Sequence, residues 1–439
     1  MKKQVIVIGA GAGGMMAAGH AAELGADVLL LEKTERPGKK ILISGNGRCN
    51  LSNSRDLDSF IAQYGANGRF LYSVFGQFFR NELLAFLQRY GVETMIEPDG
   101  KIYPVSQNAR EVVRVFESYL ADNNATLQLN TRVNHILVEH EEVVGVQTIT
   151  NIYPCSAVIL ATGGASHPQT GSTGDGYRIA KELGHTIIKL RPGLVPLVVT
   201  ESDLAKSLMG SSLHNVRLTA FQCRADEIEP MLVPAQNTGR GIDSKRPKSP
   251  VIESRIGNAI ITHFGLSGPV VLEMSLAIID AQENGPVSVS IDLKPELSKT
   301  ELMLQLQQEF KHHSKRAYQT AMKSFLSHKL IESFVALSGV PGDKQGNQIK
   351  AGERVRIAGL LKSLRFNIKG PYSMSTAMVT AGGISLDEID SHTMASKIVK
   401  GLYFCGEVMD IDALTGGYNL QAAFSTGWVA GENAAKTSD

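Results

Sequence analysis

Unbroken apolar runs stand at Val5-Ile6-Val7-Ile8 and again at Val28-Leu29-Leu30-Leu31. Runs of this kind, without period-two alternation, mark strands buried on both faces. Between them lies the small-residue segment Met15-Met16-Ala17-Ala18-Gly19, which predicts a helix packed closely on those strands. Residues 69–90 place Phe70, Leu71, Val74, Phe75, Phe78, Phe79, Leu83, Leu84, Phe86 and Leu87 at helical spacing and predict an amphipathic core helix rather than an aromatic binding box. A further helix is predicted over 109–120. Short strands follow at 127–129, 132–139 and 143–149, then a buried strand at 157–160 that runs into Ala161-Thr162-Gly163-Gly164.

The pattern changes near residue 192. Strand segments are predicted at 194–200, 216–223 and 287–293, and the polar, basic stretch 236–255 reads as a solvated loop. Residues 299–338 read as consecutive helices, with Leu302, Leu306, Phe310, Met322, Phe325, Leu330, Phe334 and Leu337 as their apolar positions. From about 350 the alternation of strand and helix returns. Leu402-Tyr403-Phe404-Cys405 is an apolar strand ending on Gly406-Glu407, and Thr415-Gly416-Gly417-Tyr418-Asn419 is a turn that starts the last helix. The first and last pieces are expected to close one sheet around an insertion, and the insertion, about 192–345, to form a separate lobe.

The first run leads directly into Gly-x-Gly-x-x-Gly at Gly9, Gly11 and Gly14, and the second ends on Glu32. Strand, glycine turn, helix, strand and acid together make a complete dinucleotide-binding βαβ unit. Gly9 permits the tight turn, Gly11 lets the backbone approach a pyrophosphate, and Gly14 lets helix and strand pack. Free N–H groups at the helix start, at Ala12 and Gly13, and the helix dipole hold the phosphates. Glu32, followed by Lys33, stands where an acid accepts both hydroxyls of an unphosphorylated ribose, which argues against NADP. Three later features point to FAD rather than a diffusing NAD. Thr162 and Gly163 end a strand where a second close backbone approach is needed. Gly406-Glu407 puts a carboxylate where ribityl hydroxyls can donate to it. The helix opening near Gly417, Asn419 and Leu420 would aim N–H groups at the flavin pyrimidine edge and stabilise negative charge there.

Length and composition narrow the partners. With 439 residues the chain holds about two to three domains. Lys plus Arg number 44 against 43 Asp plus Glu, so no global basic field argues for nucleic acid. The four cysteines, Cys49, Cys155, Cys223 and Cys405, form no Cys-x-x-Cys, which argues against a dithiol pair or a metal site and fits a reducing cytoplasm. No signal peptide and no membrane-spanning run is read.

Lys40-Ile41-Leu42-Ile43-Ser44-Gly45-Asn46-Gly47-Arg48-Cys49-Asn50 resembles the signature of the bacterial flavoproteins called the BaiN-like or aminoacetone oxidase family. Further matching stretches lie in order at 170–177, 262–269, 380–383, 404–407 and 415–419, across nearly the whole chain. Asn46 stands where the family often has Gly. The resemblance implies a glutathione-reductase-like FAD-binding Rossmann domain, discontinuous, with an inserted β-barrel and a small helical domain. The segments so implied are 1–191 for the first part of the FAD domain, 192–295 for the barrel, 296–345 for the helices, and 346–439 for the last part, completing the barrel edge and the sheet. It also implies Lys40, Ser44, Gly45 and Asn50 near flavin and pyrophosphate and the Val133 backbone at the adenine.

The activity expected is that of an FAD-dependent oxidoreductase passing a hydride from a small donor through flavin to a second acceptor. Alternatives are an NAD(P)H-dependent reductase of a small organic substrate, an oxidase of small amines or amino ketones, and a non-enzymatic flavoprotein using the basic cluster Lys311, His312, His313, Lys315 and Arg316. No second nucleotide motif is visible for NAD(P)H, which leaves it as a transient donor. Two side chains are weak catalytic candidates. Cys49 lies beside Arg48, but the preferred reading is a buried packing residue. His263 precedes a loop that starts a helix and reads either as an acid–base group or as a cap; His167 is similar. Tyr418 either faces the flavin or packs in the core.

Overall fold

A computed structural model describes residues 4–228 and 250–436. The chain divides into two compact units, one comprising 1–193 with 377–439 and the other 194–376. The 346–376 segment, assigned above to the last part of the nucleotide domain, belongs to the second unit. The helices of 296–345 share one apolar core with the barrel and do not stand as a domain of their own.

The first unit is built on a parallel five-stranded sheet. Its strand order is Leu402–Phe404, Ala157–Leu160, Gln4–Ile8, Asp27–Leu31, Thr126–Gln128. Val5 sits opposite Ala157 on one side and Val28 on the other. The apolar runs are buried along their length, because helices Ala12–Glu23 and Tyr418–Lys436 pack on the sheet and the antiparallel strand Glu142–Thr148 packs against Ala157–Leu160. The helix Ala12–Glu23 packs along the C-terminal helix Tyr418–Lys436 at backbone distance. A Cβ on Gly427 would lie 2.3 Å from Gly13 O, and one on Gly431 would lie 2.4 Å from Ala17 O. Small residues at these positions therefore set the separation of the two helices. Three smaller antiparallel sheets complete the unit: Ser52–Asn53 with Lys101–Pro104 and Thr94–Ile96, Val133–Glu139 with Glu142–Thr148 and Ile152–Pro154, and Ile187–Gly193 with Val379–Ile384.

The continuous helix expected over 69–90 is broken. Helix Leu71–Gln77 stops at Phe78, which is extended, and Arg80–Arg89 restarts after Phe79. The physical reasons are visible on both sides of the break. The Phe78 ring stacks on Trp428 with centroids 4.5 Å apart, and Glu82 accepts from the Phe79 N–H at 3.0 Å, capping the second helix.

The second unit holds a closed six-stranded barrel in the order Leu197–Val199, Gly265–Ser267, Val251–Thr262, Ser212–Phe221, Ser288–Asp292, Leu364–Pro371. Leu364–Pro371 supplies the edge that closes it, pairing with both Ser288–Asp292 and Leu197–Val199. Helices Lys299–His312, Tyr318–Ala321, His328–Ser338 and Ala351–Lys362 follow the fifth barrel strand in the chain. Most of the stretch 236–255 lies outside the described residues. Its end does not: 251–255 open the long strand Val251–Thr262 rather than a loop.

Candidate functional site

The glycine turn has the geometry the spacing predicts. Gly9 adopts φ +102, and a Cβ there would meet Ala161 O at 2.7 Å. At Gly14 a Cβ would fall 1.8 Å from Gly9 O, so only glycine lets the helix start fold back onto the strand. Gly11 differs: nothing lies within 4 Å of where its Cβ would be. That open space lies at the N-cap of helix Ala12–Glu23, where first-turn N–H groups have no intrahelical partner. Ala12 and Gly13 open this helix.

Glu32 is tied into the turn. Its Oε2 accepts from the Ala10 N–H and its Oε1 from the Thr34 N–H, both at 2.8 Å. A carboxylate has about four lone-pair sites, so each oxygen keeps one for a ribose hydroxyl. Lys33 is engaged elsewhere: its Nζ donates to Thr173 Oγ1 at 2.6 Å and to Asp175 Oδ2 at 2.8 Å. Val133 is buried at the first position of its strand, where it pairs with Thr148.

Past the strand Ala157–Leu160, Gly163 takes φ +70, and Thr162 Oγ1 is buried with no hydrogen-bond partner. The hydroxyl is packed against helix Asp175–Glu182, where a Cβ on Gly176 would lie 2.0 Å from it. Glu407 follows Gly406, whose φ is +74. Its Oε2 accepts from Lys40 Nζ at 2.5 Å and its Oε1 from the Thr380 N–H at 2.8 Å. Ser166 Oγ accepts from Lys40 Nζ at 2.9 Å and lies 3.3 Å from Glu407 Oε1. Two expected contacts, Lys40 and Glu407, are thus brought together as an ion pair. A small hollow is lined by Gly406, Glu407, Met409, Ile411, Asn419, Ala422, Ala423 and Thr426.

The 40–50 loop carries its left-handed residues at Gly45, Asn46, Gly47 and Cys49. Asn46 takes φ +59, a conformation asparagine tolerates, so its departure from glycine leaves the backbone unchanged. Ser44 Oγ donates to Ile41 O at 2.7 Å. The Asn50 amide donates to Ser52 O at 3.1 Å and accepts from the Gly417 N–H at 3.0 Å. Asn50 therefore fastens the loop to the turn before the last helix. Gly417 is indispensable there, since a Cβ would lie 2.3 Å from Ser52 O. The Asn419 side chain bonds back to Ala413, accepting from its N–H and donating to its carbonyl, both at 2.9 Å. Asn419 and Leu420 therefore offer a ligand their first-turn backbone rather than the Asn419 amide.

The two catalytic candidates behave differently. Cys49 is fully buried, and burial pushes its thiol up to about 12, against a smaller opposing bond from Ser44. Arg48 does not activate it. The guanidinium lies over the Tyr103 ring at 4.0 Å and pairs with Glu97 at 2.7 Å. The preferred reading of Cys49 as a packing residue is the one the geometry supports. His263 sits in the second unit, in the two-residue turn between Val251–Thr262 and Gly265–Ser267, edge-on to Phe264. The helix expected after it begins at Pro269. His167 adopts φ +51, and burial with the nearby Lys40 charge lowers its imidazole below 6.5. Tyr418 is buried against Phe60, with ring centroids 4.7 Å apart. Among the described residues no metal-binding cluster is found.

Sequence reasoning missed two groups. Asp410 is held by Asn67 at 3.0 Å, and its burial raises the carboxyl above its ordinary range. Asp175 binds both Lys33 and Arg132. Asp175 lies in the family-like stretch 170–177, yet the contacts of both groups escape a reading of spacing, because their partners come from distant segments.

Comparison with known proteins gives the family. The profile of the HI0933-like protein Rossmann domain matches residues 3–433. The chain is 30% identical over 437 residues to a ribosomal RNA dihydrouridine synthase of Escherichia coli (strain K12), covering 99% of this chain and 98% of that one. It is 30% identical over 438 residues to a 3-dehydro-bile acid delta(4,6)-reductase of Clostridium scindens, covering 98% of both chains. Among solved structures, a flavocytochrome c3 fumarate reductase in an open conformation aligns with TM-score 0.51 at 17% identity, over 99% of this chain and 78% of that one. The Mycobacterium smegmatis Sdh1 complex aligns with TM-score 0.50 at 16% identity, over 99% and 68%. These two show the fold alone. The chain belongs to the HI0933-like family, the BaiN-like group of bacterial FAD-dependent oxidoreductases, and its fold is a discontinuous FAD-binding type of Rossmann domain with an inserted barrel.

Proposed function

We propose that this chain is an FAD-dependent reductase of a carbon–carbon double bond conjugated to a carbonyl, with NAD(P)H as transient donor. The observation that carries the cofactor is the complete turn from Gly9 to Glu32, with space at Gly11 and an acid whose two oxygens are fixed by Ala10 and Thr34. In the proposal Gly9, Gly11, Ala12, Gly13 and Gly14 take the pyrophosphate and Glu32 the ribose. The Val133 backbone lies at the adenine. Lys40, Ser44, Gly45, Asn50, Thr162, Gly163, Gly406, Glu407, Gly417, Asn419 and Leu420 surround the flavin half. Bound FAD would supply hydride transfer at N5; the chain supplies position, charge and exclusion of water.

The substrate class rests on chemistry shared by the two named relatives. Making dihydrouridine saturates a bond conjugated to a pyrimidine carbonyl, and a 3-dehydro delta(4,6) steroid carries double bonds conjugated to its ketone. Each reduction adds hydride to the carbon remote from the carbonyl end and a proton to its neighbour. The even charge balance, 44 cationic against 43 anionic side chains, favours a small molecule over RNA. All four cysteines are unpaired, as a reducing cytoplasm keeps them, and no helix among the described residues is long and apolar enough to cross a membrane.

Anaerobic titration of the yellow protein with NADH and NADPH, followed by a conjugated enone, tests the reading. Bleaching by the nucleotide and recovery of colour with the enone are expected. Recovery with oxygen but with no enone would favour the oxidase; recovery with RNA fragments but no free enone would shift the substrate to nucleic acid.

A further inference from the structure

The loop 163–175 is fastened at both ends within the first unit. At the flavin end, Ser166 Oγ joins the Lys40–Glu407 pair, and the Ala165 and Ser166 N–H groups donate to Thr380 Oγ1 at 2.8 and 3.1 Å. At the other end, Asp175 receives Lys33 Nζ on Oδ2 at 2.8 Å and Arg132 Nη2 on Oδ1 at 2.6 Å. Lys33 also donates to Thr173. Gly171 and Gly174 take φ +99 and +81, so the chain turns sharply on either side of Ser172 and Thr173. A Cβ on Gly171 would lie 3.1 Å from Thr34 Cγ2 and 3.9 Å from Glu32 Oε1. The loop thus lies directly on the acid edge of the dinucleotide turn.

The three charges are unequally placed. The Asp175 side chain is 12% exposed and Lys33 23%, but Arg132 is 56% exposed. Burial alone would raise the Asp175 carboxyl; Lys33 and Arg132 outweigh it and hold the group below its ordinary range. Opening the loop here means separating a largely buried carboxylate from two cations.

We propose that Lys33, Asp175 and Arg132 form a latch that closes the loop 163–175 over the Glu32 edge, retains the adenosine half of the bound dinucleotide, and sets how fast that cofactor enters and leaves. The proposal rests on the FAD reading. It separates retention from chemistry: the latch touches neither the flavin-side ion pair nor the reacting atoms.

The test is the rate of FAD release, followed by recovery of flavin fluorescence after dilution of the holoprotein. Asp175→Asn keeps the shape and removes the charge. Release should accelerate about tenfold or more, the loss of a hydrogen bond to a charged group. Raising salt from about 50 to about 500 mM should speed release from the wild type by screening the exposed Arg132 half, and leave Asp175→Asn nearly unchanged. In the cofactor-free protein, amide exchange over 164–174 should quicken in Asp175→Asn but not in Glu182→Gln, which removes exposed pairs with Arg178 and His135 at the other end of helix Asp175–Glu182. Arg132→Gln should act in the same direction and more weakly, and it decides the matter if Asp175→Asn fails to fold. Unchanged release in these variants, with wild-type release insensitive to salt, overturns the latch and leaves the FAD reading standing. A wild-type protein that binds no FAD overturns both.

Discussion

Lys40 Nζ and Glu407 Oε2 lie 2.5 Å apart, although 367 positions separate the residues in the chain. The contact ties helix Lys39–Ile43, after the second sheet strand, to the turn after the last one, and Ser166 and Thr380 bond to the same pair. Three distant segments therefore converge on one carboxylate. The two residues should be energetically coupled. Lys40→Met and Glu407→Gln should each weaken FAD binding, and the double variant should lose less than the sum, by about 0.5–3 kcal/mol. Equilibrium titration of all four proteins checks this, and strict additivity would show that each residue acts on the cofactor alone.

Gly11 and Gly14 should separate folding from binding. Gly11→Ala meets empty space, so thermal unfolding of the cofactor-free protein should be little changed while FAD affinity falls. Gly14→Ala drives a methyl into Gly9 O and should lower the unfolding temperature even without FAD. Equal affinity in Gly11→Ala and the wild type would place the pyrophosphate elsewhere.

Glu32→Ala removes the ribose acceptor together with two backbone anchors. FAD affinity should drop by about 1.5–3 kcal/mol, the range for hydrogen bonds to a charged group. Calorimetric titration measures it, and unchanged affinity would mean that Glu32 does not reach the ribose.

Cys49→Ser should retain FAD and reduce it at a rate within about tenfold of the wild type. The buried thiol, pushed up to about 12, holds no thiolate near neutrality. Stopped-flow reduction decides it: a thousandfold loss with FAD bound, about 4 kcal/mol of barrier, would make the thiol part of the chemistry.

Stability should fall on mild acidification. Burial lowers the His185 imidazole below its ordinary 6.5, with Glu388 offsetting part of the effect. The unfolded chain therefore takes up a proton there before the folded one does. The contribution is complete above 6.5 and is lost as pH falls through the lower folded value. His20, buried beside Glu23, acts in the same sense. Urea midpoints should hold steady above about pH 7 and decline below about 6.5, less steeply in His185→Gln. A midpoint that rises on acidification would show these rings to be charged in the fold.

The parts legible in the sequence are those where one local pattern has one physical solution. The run Val5–Ile8 with its three glycines admits little but a buried parallel strand entering a tight turn, and the structure has it. Helices at 109–120 and 299–338 also appear near the expected limits, the first as Ala109–Asp122 with Asn108 as its cap. The 69–90 helix failed because periodicity records which residues are apolar and not which partner they meet: Phe78 leaves the helix to stack on Trp428, hundreds of residues away. Of the site, the turn residues were legible and the ion pairs were not. Nothing near Lys33 announces Asp175, and nothing near Lys40 announces Glu407 except a shared expectation of touching the cofactor.

The backbone contact between Gly13 and Gly427 also bears on how the protein is made. The first strand and glycine turn leave the ribosome early, yet the helix that packs on them and the strand at the sheet edge come some four hundred residues later. Until that helix is made, the N-terminal segment has its strand neighbours Asp27–Leu31 and Ala157–Leu160 but lacks the helix face that closes over Gly13. The packing around the nucleotide turn is completed only once Tyr418–Lys436 has been made. A chain cut before Tyr418–Lys436 would emerge with its glycine turn lacking that backbone contact.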